Sequence, residues 1–455
     1  MTKRTRVLSL LAVAALALAG CGVGGSASGP ATVSRAPDLA PDQKVSLVLE
    51  SYNFGQAGPW SDTFTELLGE FQRQHPNITV TGQKPQGSSS NPASDAVSSV
   101  QSQLATGAPP DVAQLGFSDL DFTVNSLGAK PLDDLVGRDA VQANFGGTHP
   151  FAPRAATLGD SGGKTYGVPF VFSTPVLFYN ATLFRQAGLD PAKPPATWDE
   201  VKAAGLAIAQ KTGKDGAYVD CVTQSAKDWC LQSIVRSNGG QVLSEDRRTL
   251  RYADAPAVGA VTMLQDLVAS GASPKLTQQQ ATEGFARGDM GMILESSALQ
   301  GTFAKGAKAG WELRGAGTPA FSGKPAVPTN SGAALFVLSD DPAKQRAAWE
   351  LITFLTSDEA YKTISTKIGY LPLRTSLVDD PDGLQAWAAK NPLVRTNIAQ
   401  LNAMEPWVAF PGSSYLQVRD GMMKAVESSV LQGTPVQATL SGAAEQGTPL
   451  LTSGG

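Results

Sequence analysis

Residues 166–200 read YGVPFVFSTPVLFYNATLFRQAGLDPAKPPATWDE, and the way this stretch divides decides the fold. Its first third, residues 166–178, is apolar and rich in β-formers but is broken by Pro169 and Pro175. Proline removes a backbone donor, so a strand holding two of them is an edge or a crossing segment. Ser173 and Thr174 sit between the prolines and follow neither a helical nor an alternating pattern. A short helix is predicted over residues 181–187, stopped by Gly188 as a C-terminal cap and by Pro191 beyond it. The run PPATWDE starts another helix, in which Thr197 is the cap and Glu200, three residues on, completes a capping box.

Working outward toward the N terminus, residues 45–50 (VSLVLE) read as a strand. Residues 61–73 read as a helix, with Phe64, Leu67, Leu68 and Phe71 at helical spacing, and residues 78–80 as a second strand. That is a β-α-β unit, the start of a sheet covered by helices. Tyr52, Asn53 and Trp60 fall in the loop at the carboxyl end of the first strand, where open α/β sheets bind ligands; packing is the other reading of those aromatics. A helix over 93–106 precedes a strand at 111–116, whose following loop holds Asp119 and Asp121 at the same end of the sheet.

Toward the C terminus, a strand at 217–221 leads to a helix opened by Asp228, Trp229 and Cys230. A helix at 256–270 carries Val258, Val261, Leu264, Leu267 and Val268 on one face, a core pattern. In FARGDMGMI (285–293), Gly288 turns a helix into a strand that ends at Glu295, Ser296 and Ser297. NSGAA (330–334) precedes a strand at 335–338, and Gly332 there lets a ligand approach the backbone N–H groups. A helix at 342–355 is followed by GYLPLR (369–374), and Trp407 lies in the loop before a last helix at 417–431.

The 455 residues are 42% hydrophobic and 17% charged, room for two soluble domains or one very large one. Residues 1–20 read as a signal peptide: Lys3, Arg4 and Arg6, then an apolar run at 7–19 that is shorter than the ~20 residues a bilayer takes. LAGC at 18–21 matches a lipobox, which makes Cys21 the lipidated N terminus; each buried methylene of its chains contributes ~0.8 kcal/mol. Residues 21–43, rich in Gly, Ser, Ala and Pro, read as a flexible tether. Loss of the leader leaves 435 residues and moves the formal charge from −4 to −7, which gives no electrostatic reason to hold nucleic acid. Cys221 and Cys230 remain, as a disulfide around Trp229 or as two buried thiols. With only His75 and His149, no zinc site of several imidazoles is expected, and no metal or cofactor is called for. There is no P-loop and no G-x-S-x-G elbow. A glycoside hydrolase needs only two carboxylates, and Asp and Glu are plentiful.

The order STPVLFYN, LFRQAGLDP, PPATWDE, with GAPPDV (107–112), FARGDMGMI, WELITFLTSDE (349–359) and GYLPLR, resembles the extracytoplasmic solute-binding proteins of ABC import systems. More narrowly it resembles the branch that binds sugars and glycerol 3-phosphate, over nearly the whole mature chain. The resemblance implies an α/β, two-lobed periplasmic-binding-protein fold, each lobe a sheet flanked by helices, with a hinge and an interlobe ligand cleft. It assigns residues 44–172 and 298–352 to one lobe and 173–297 and 353–455 to the other, with crossings near 172–176, 294–297 and 349–357. It implies a monomeric, non-enzymatic protein that is lipid-anchored to the outer face of the cytoplasmic membrane and serves ABC permease subunits. Cleft positions implied by it are Ser173, Trp229, Ser296, Ser297 and Tyr370, with Arg374 ranked lower as a structural ion-pair partner. Tyr52, Asn53, Asp119, Gly332 and Trp407 join them from their loops.

Two departures bear on the ligand. Glycerol-3-phosphate-binding members carry a glutamate near Phe117, for which Asp119 and Asp121 are the candidate replacements, and an arginine where Pro411 stands. A sugar or oligosaccharide and a glycerophosphate or glycerophosphodiester are therefore the two solute classes. The rival readings are a secreted carbohydrate-active hydrolase, which would show turnover lost with one carboxylate, and a ligand-free scaffold lipoprotein, which no solute would stabilise.

Overall fold

The protein was analysed as a computed structural model that describes residues 35–56, 59–88 and 92–451. The signal peptide, Cys21 and residues 22–34 lie outside the described residues.

The strands are β1 (Val45–Glu50), β2 (Ile78–Gln83), β3 (Val112–Gly116), the hairpin β4 (Asp160–Ser161) and β5 (Lys164–Thr165), then β6 (Gly167–Ser173), β7 (Pro175–Asn180), β8 (Asp215–Val219), β9 (Met290–Ser296), β10 (Leu313–Ala316) and β11 (Ser331–Val337). They form a five-stranded sheet in the order β2-β1-β3-β11-β6 and a four-stranded sheet in the order β10-β7-β9-β8. β1, β2 and β3 run parallel and β11 antiparallel to its neighbours; in the second sheet β8 and β9 are parallel and β7 antiparallel to β9.

The two prolines of the opening stretch stand where a ladder tolerates them. β6 is an edge strand, and Pro169 lies where its register with β11 shifts between Ala333 and Ala334. Pro175 is the first residue of β7. Ser173 pairs with Ser331 in one sheet and Pro175 with Ser296 in the other, so the chain changes sheets across the single residue Thr174. Both strands are buried throughout, which is why the run reads as continuously apolar rather than alternating.

The helices follow their sequence signals. Trp60–Gln74 buries Phe64, Leu67, Leu68 and Phe71. Trp198–Thr212 starts with a complete capping box: the Thr197 hydroxyl accepts from the Glu200 N–H at 3.3 Å and the Glu200 carboxylate from the Thr197 N–H at 3.0 Å. Gly288 ends Gln278–Arg287 in the left-handed region at φ 83°. Cys230, in the helix Trp229–Ser237, is disulfide-bonded to Cys221, with the Cα atoms 5.2 Å apart.

Two expected boundaries move. The described end of the tether, residues 35–43, is largely exposed but anchored at two points: Ala36 is buried and donates to the Leu135 carbonyl at 2.8 Å, and Asp38 pairs with Arg346 at 2.7 Å. β10 pairs with β7, so residues 313–316 stand in the four-stranded sheet although 298–352 was expected to lie wholly with the other. The second change of sheet therefore comes between β10 and β11, later than the serines that end β9.

Candidate functional site

A cavity of 720 Å³ opens where the carboxyl ends of the parallel strands of both sheets meet. Open α/β sheets place ligands at this end, because the loops there are free to vary on a rigid frame. Gly116 from β3, Ser173 from β6 and Ser331 and Gly332 from β11 line it on one side; Glu295 and Ser296 from β9, with Asp220 just after β8, line it on the other.

Seven of the ten expected ligand residues are brought to this cavity: Tyr52, Ser173, Trp229, Ser296, Gly332, Tyr370 and Trp407. Ser296 Oγ donates to Ser173 Oγ at 2.8 Å, across the two sheets. Gly332 sits at φ 120° against the Val171 carbonyl, where a side chain would collide with the β6 backbone. Trp407 is fixed twice: its indole N–H donates to Asp228 Oδ1 at 3.0 Å, and its backbone N–H to Asn330 Oδ1 at 2.9 Å. Tyr370 meets Trp60 edge to face with ring centroids 4.9 Å apart. Burial pushes the Tyr52 hydroxyl up to about 12, so it stays a donor at any physiological pH.

Three expected residues are turned elsewhere. Ser297 is fully buried; its Oγ accepts from the Thr174 N–H at 3.3 Å, so it holds the sheet crossing. Ser296 is the last residue of β9, and the chain turns at once into the short helical turn Ser297–Leu299, which carries Ser297 away from the cavity. Asn53 spends its amide on Gln114 Oε1 at 2.9 Å, behind Tyr52. Asp119 accepts from the Tyr415 hydroxyl at 2.8 Å and is buried there. Asp121 pairs with Arg247. Neither aspartate stands in the lining. Arg374 is a structural clamp: it donates to the carbonyls of Thr356, Gly146, His149 and Asn144 and lies over the Phe151 ring at 4.8 Å.

The sequence reading missed Asp220, Glu295, Gln278 and Lys227, all in the lining. The signal was available for two of them: each acid directly follows an apolar run, AYV (217–219) or MGMIL (290–294), at the end of the sheet where ligands bind. Burial, then the neighbouring Glu295 charge, pushes the Asp220 carboxyl well above the usual range; burial likewise pushes Glu295 up to about 7. Lys227 adopts φ 60°, rare for a residue with a side chain, and its ammonium donates to the Ala93 carbonyl at 3.4 Å. Burial lowers its pKa. Among the described residues no arginine stands in this lining. Among the described residues no cluster of His, Cys, Asp and Glu could hold a metal ion, and no helix is long and apolar enough to cross a membrane.

Residues 66–395 match the family described as bacterial extracellular solute-binding protein. The sn-glycerol-3-phosphate-binding periplasmic protein UgpB of Escherichia coli strain K12 is 27% identical over 364 residues, 76% of this chain and 80% of that one. Its counterpart from Pectobacterium atrosepticum is 27% identical over 305 residues, 64% and 67% of the two chains. Among solved structures, UgpB from Mycobacterium tuberculosis in complex with glycerophosphocholine matches with a TM-score of 0.76 at 21% identity, covering 90% of this chain and 98% of that one. The cyclic alpha-maltosyl-1,6-maltose binding protein from Arthrobacter globiformis matches with a TM-score of 0.74 at 22% identity, covering 90% and 99%. These likenesses show the fold: two lobes, each a sheet flanked by helices.

Proposed function

The chain belongs to the bacterial extracellular solute-binding protein family, and on that premise we propose that it captures a sugar or oligosaccharide in the cavity between its two sheets and hands it to the permease of an ABC importer. The carrying observation is the make-up of the lining. Tyr52, Trp60, Trp229, Tyr370 and Trp407 offer rings for the apolar faces of a sugar, and Ser173, Ser296 and Gln278 offer hydroxyls and an amide for its edges. A ligand touching residues of both sheets binds a closed form better than an open one, so it shifts the population toward closure. The two lobes are the two sheets with their helices, hinged at Thr174 and between β10 and β11. The protein acts as a monomer, held by lipid at Cys21 on the outer face of the cytoplasmic membrane.

A glycerophosphate or glycerophosphodiester is the second reading, favoured by the Lys227 ammonium in the lining and by the names of the 27%-identical relatives. Phosphate recognition rests heavily on bidentate arginine, and the described residues of this lining include none, so the sugar reading stands first. A hydrolase would set its two carboxylates on opposite sides of the bond. Asp220 and Glu295 instead stand together at the ends of adjacent strands.

A thermal-shift screen of the purified protein with mono- and disaccharides, glycerol 3-phosphate and glycerophosphodiesters tests this. A solute at one hundred times its dissociation constant stabilises by ~2.7 kcal/mol. A shift with sugars alone supports the first reading, and a shift with phosphates alone replaces it by the second.

A further inference from the structure

We propose that the acidic end of this cavity, formed by Asp220, Glu295 and Gln278, is a subsite for a protonated amine, so that the preferred solute is an amino-bearing glycoside or polyol. The proposal rests on the solute-binding reading above and names the solute's class.

The parallel register of β8 and β9 puts Val219 beside Leu294, and therefore Asp220 beside Glu295. Asp220 is 1% exposed and Glu295 3%, yet both stand in the cavity lining. Their donors are few. The Gln278 amide is 2.9 Å from Asp220 Oδ2 and 3.4 Å from Glu295 Oε1, and the Ser296 N–H donates to Glu295 Oε2. Asp220 Oδ1 is buried with no partner. Among the described residues neither carboxylate has an ion-pair partner: the one cation of the lining, Lys227, donates to Ala93 and has Asp119, Asp228, Asp420 and Arg419 as its charged neighbours.

Two adjacent carboxyls taken out of water with no cation cannot both stay ionised; a shared proton or an incoming positive charge must settle the pair. Burial raises both groups, and for Asp220 its neighbour's charge adds to the rise, as that conflict requires. An ammonium group does more than a proton. It brings one positive charge and three donors to a pair of carboxyls whose donors are the Gln278 amide and the Ser296 N–H. A sugar hydroxyl brings one donor and leaves the charge uncompensated. The aromatic lining, Trp229, Trp407 and Tyr370 among it, suits a cation as well as a sugar face.

Calorimetric titration at neutral pH with matched probes decides the matter: glucose against glucosamine, cellobiose against its diamino counterpart, and glycerol against 2-amino-1,3-propanediol. The amino member should bind about tenfold or more tightly than its neutral partner, a difference of about 1.4 kcal/mol. Titrations in buffers of different ionisation enthalpy should show a proton released as the amine binds. Glu295→Gln should draw the amino-to-neutral ratio toward unity, and Asp220→Asn serves the same purpose if the first variant does not fold. Neutral probes binding as tightly as their amino partners would overturn the subsite and leave the sugar reading intact. A preference that survives both variants would also overturn it, by placing amine recognition elsewhere. If no member of any pair binds, both the subsite and the sugar reading fall.

Discussion

Ser296 Oγ and Ser173 Oγ are hydrogen-bonded at 2.8 Å, which ties the last residue of β9 in the four-stranded sheet to the last residue of β6 in the five-stranded one. Both side chains line the cavity. A solute entering there meets a hydroxyl pair already oriented across the two sheets. Ser173→Ala removes the acceptor of that bond and should cost about 0.5–1.5 kcal/mol in urea unfolding. The same variant should weaken solute binding in a calorimetric titration. Unchanged affinity would remove Ser173 from the ligand's contacts.

Trp407 is positioned through Asp228. Burial raises the Asp228 carboxyl's pKa, and the indole N–H and the Gln232 amide, at 2.7 Å, are its side-chain donors. Trp407→Phe keeps a ring in the cavity but strips one donor from a buried carboxyl. The expected loss is about 1–3 kcal/mol of stability, together with weaker binding. Denaturant midpoints of the two proteins check the first part and titration the second.

Arg374 makes its contribution to folding alone. It is buried, donates to four backbone carbonyls and pairs with Asp358 at 3.5 Å. Arg374→Met should destabilise by at least about 3 kcal/mol. Arg374→Lys should rescue little, because an ammonium lacks the planar fork that reaches several carbonyls at once. Protein that remains folded should bind solute with unaltered affinity, measured by titration at low temperature.

The acidic pair makes stability depend on pH in a stated direction. Burial raises Glu295 from 4.5 to about 7, so the folded state holds this proton more tightly than the unfolded chain. The associated stabilisation is present at low pH relative to the fully ionised pair and is lost as pH rises through about 7. Glu295→Gln cannot titrate there. The melting temperature of the variant relative to the parent should therefore climb as pH rises across that window, and parallel melting curves would contradict the assignment.

Much of this fold was legible because its signals are local. The capping box at Thr197 and Glu200, the apolar face of Trp60–Gln74 and the glycine stop at Gly288 are each set within one or two turns of chain. The prolines at 169 and 175 left an edge or a crossing segment open, and both occur: β6 is an edge strand and the chain changes sheets at Thr174. What was not legible depends on direction. Ser296 and Ser297 are identical in kind, but the end of β9 sends one hydroxyl to the cavity and the other to the Thr174 N–H. Asn53 and Asp119 were placed at the right end of the sheet, yet Gln114 and Tyr415, distant in sequence, claim their side chains. Asp220 and Glu295 went unread because their meaning comes from the register that sets them side by side, a pairing between strands far apart in the chain. The position of β10 was hidden for the same reason: nothing in four residues tells which of two sheets will take them.

The proposed ligand of the cavity between the two sheets is a sugar-type solute. The most direct measurement is a calorimetric titration of the protein and of Tyr370→Ala with the solute that gives the largest thermal shift. Tyr370 touches the cavity and braces Trp60. The expected result is one site per chain in the parent and a loss of about tenfold or more in affinity in the variant, about 1.4 kcal/mol, with the disaccharide preferred over glycerol 3-phosphate. Equal affinity in the two proteins, or binding of phosphate esters with no response to any sugar, would contradict it.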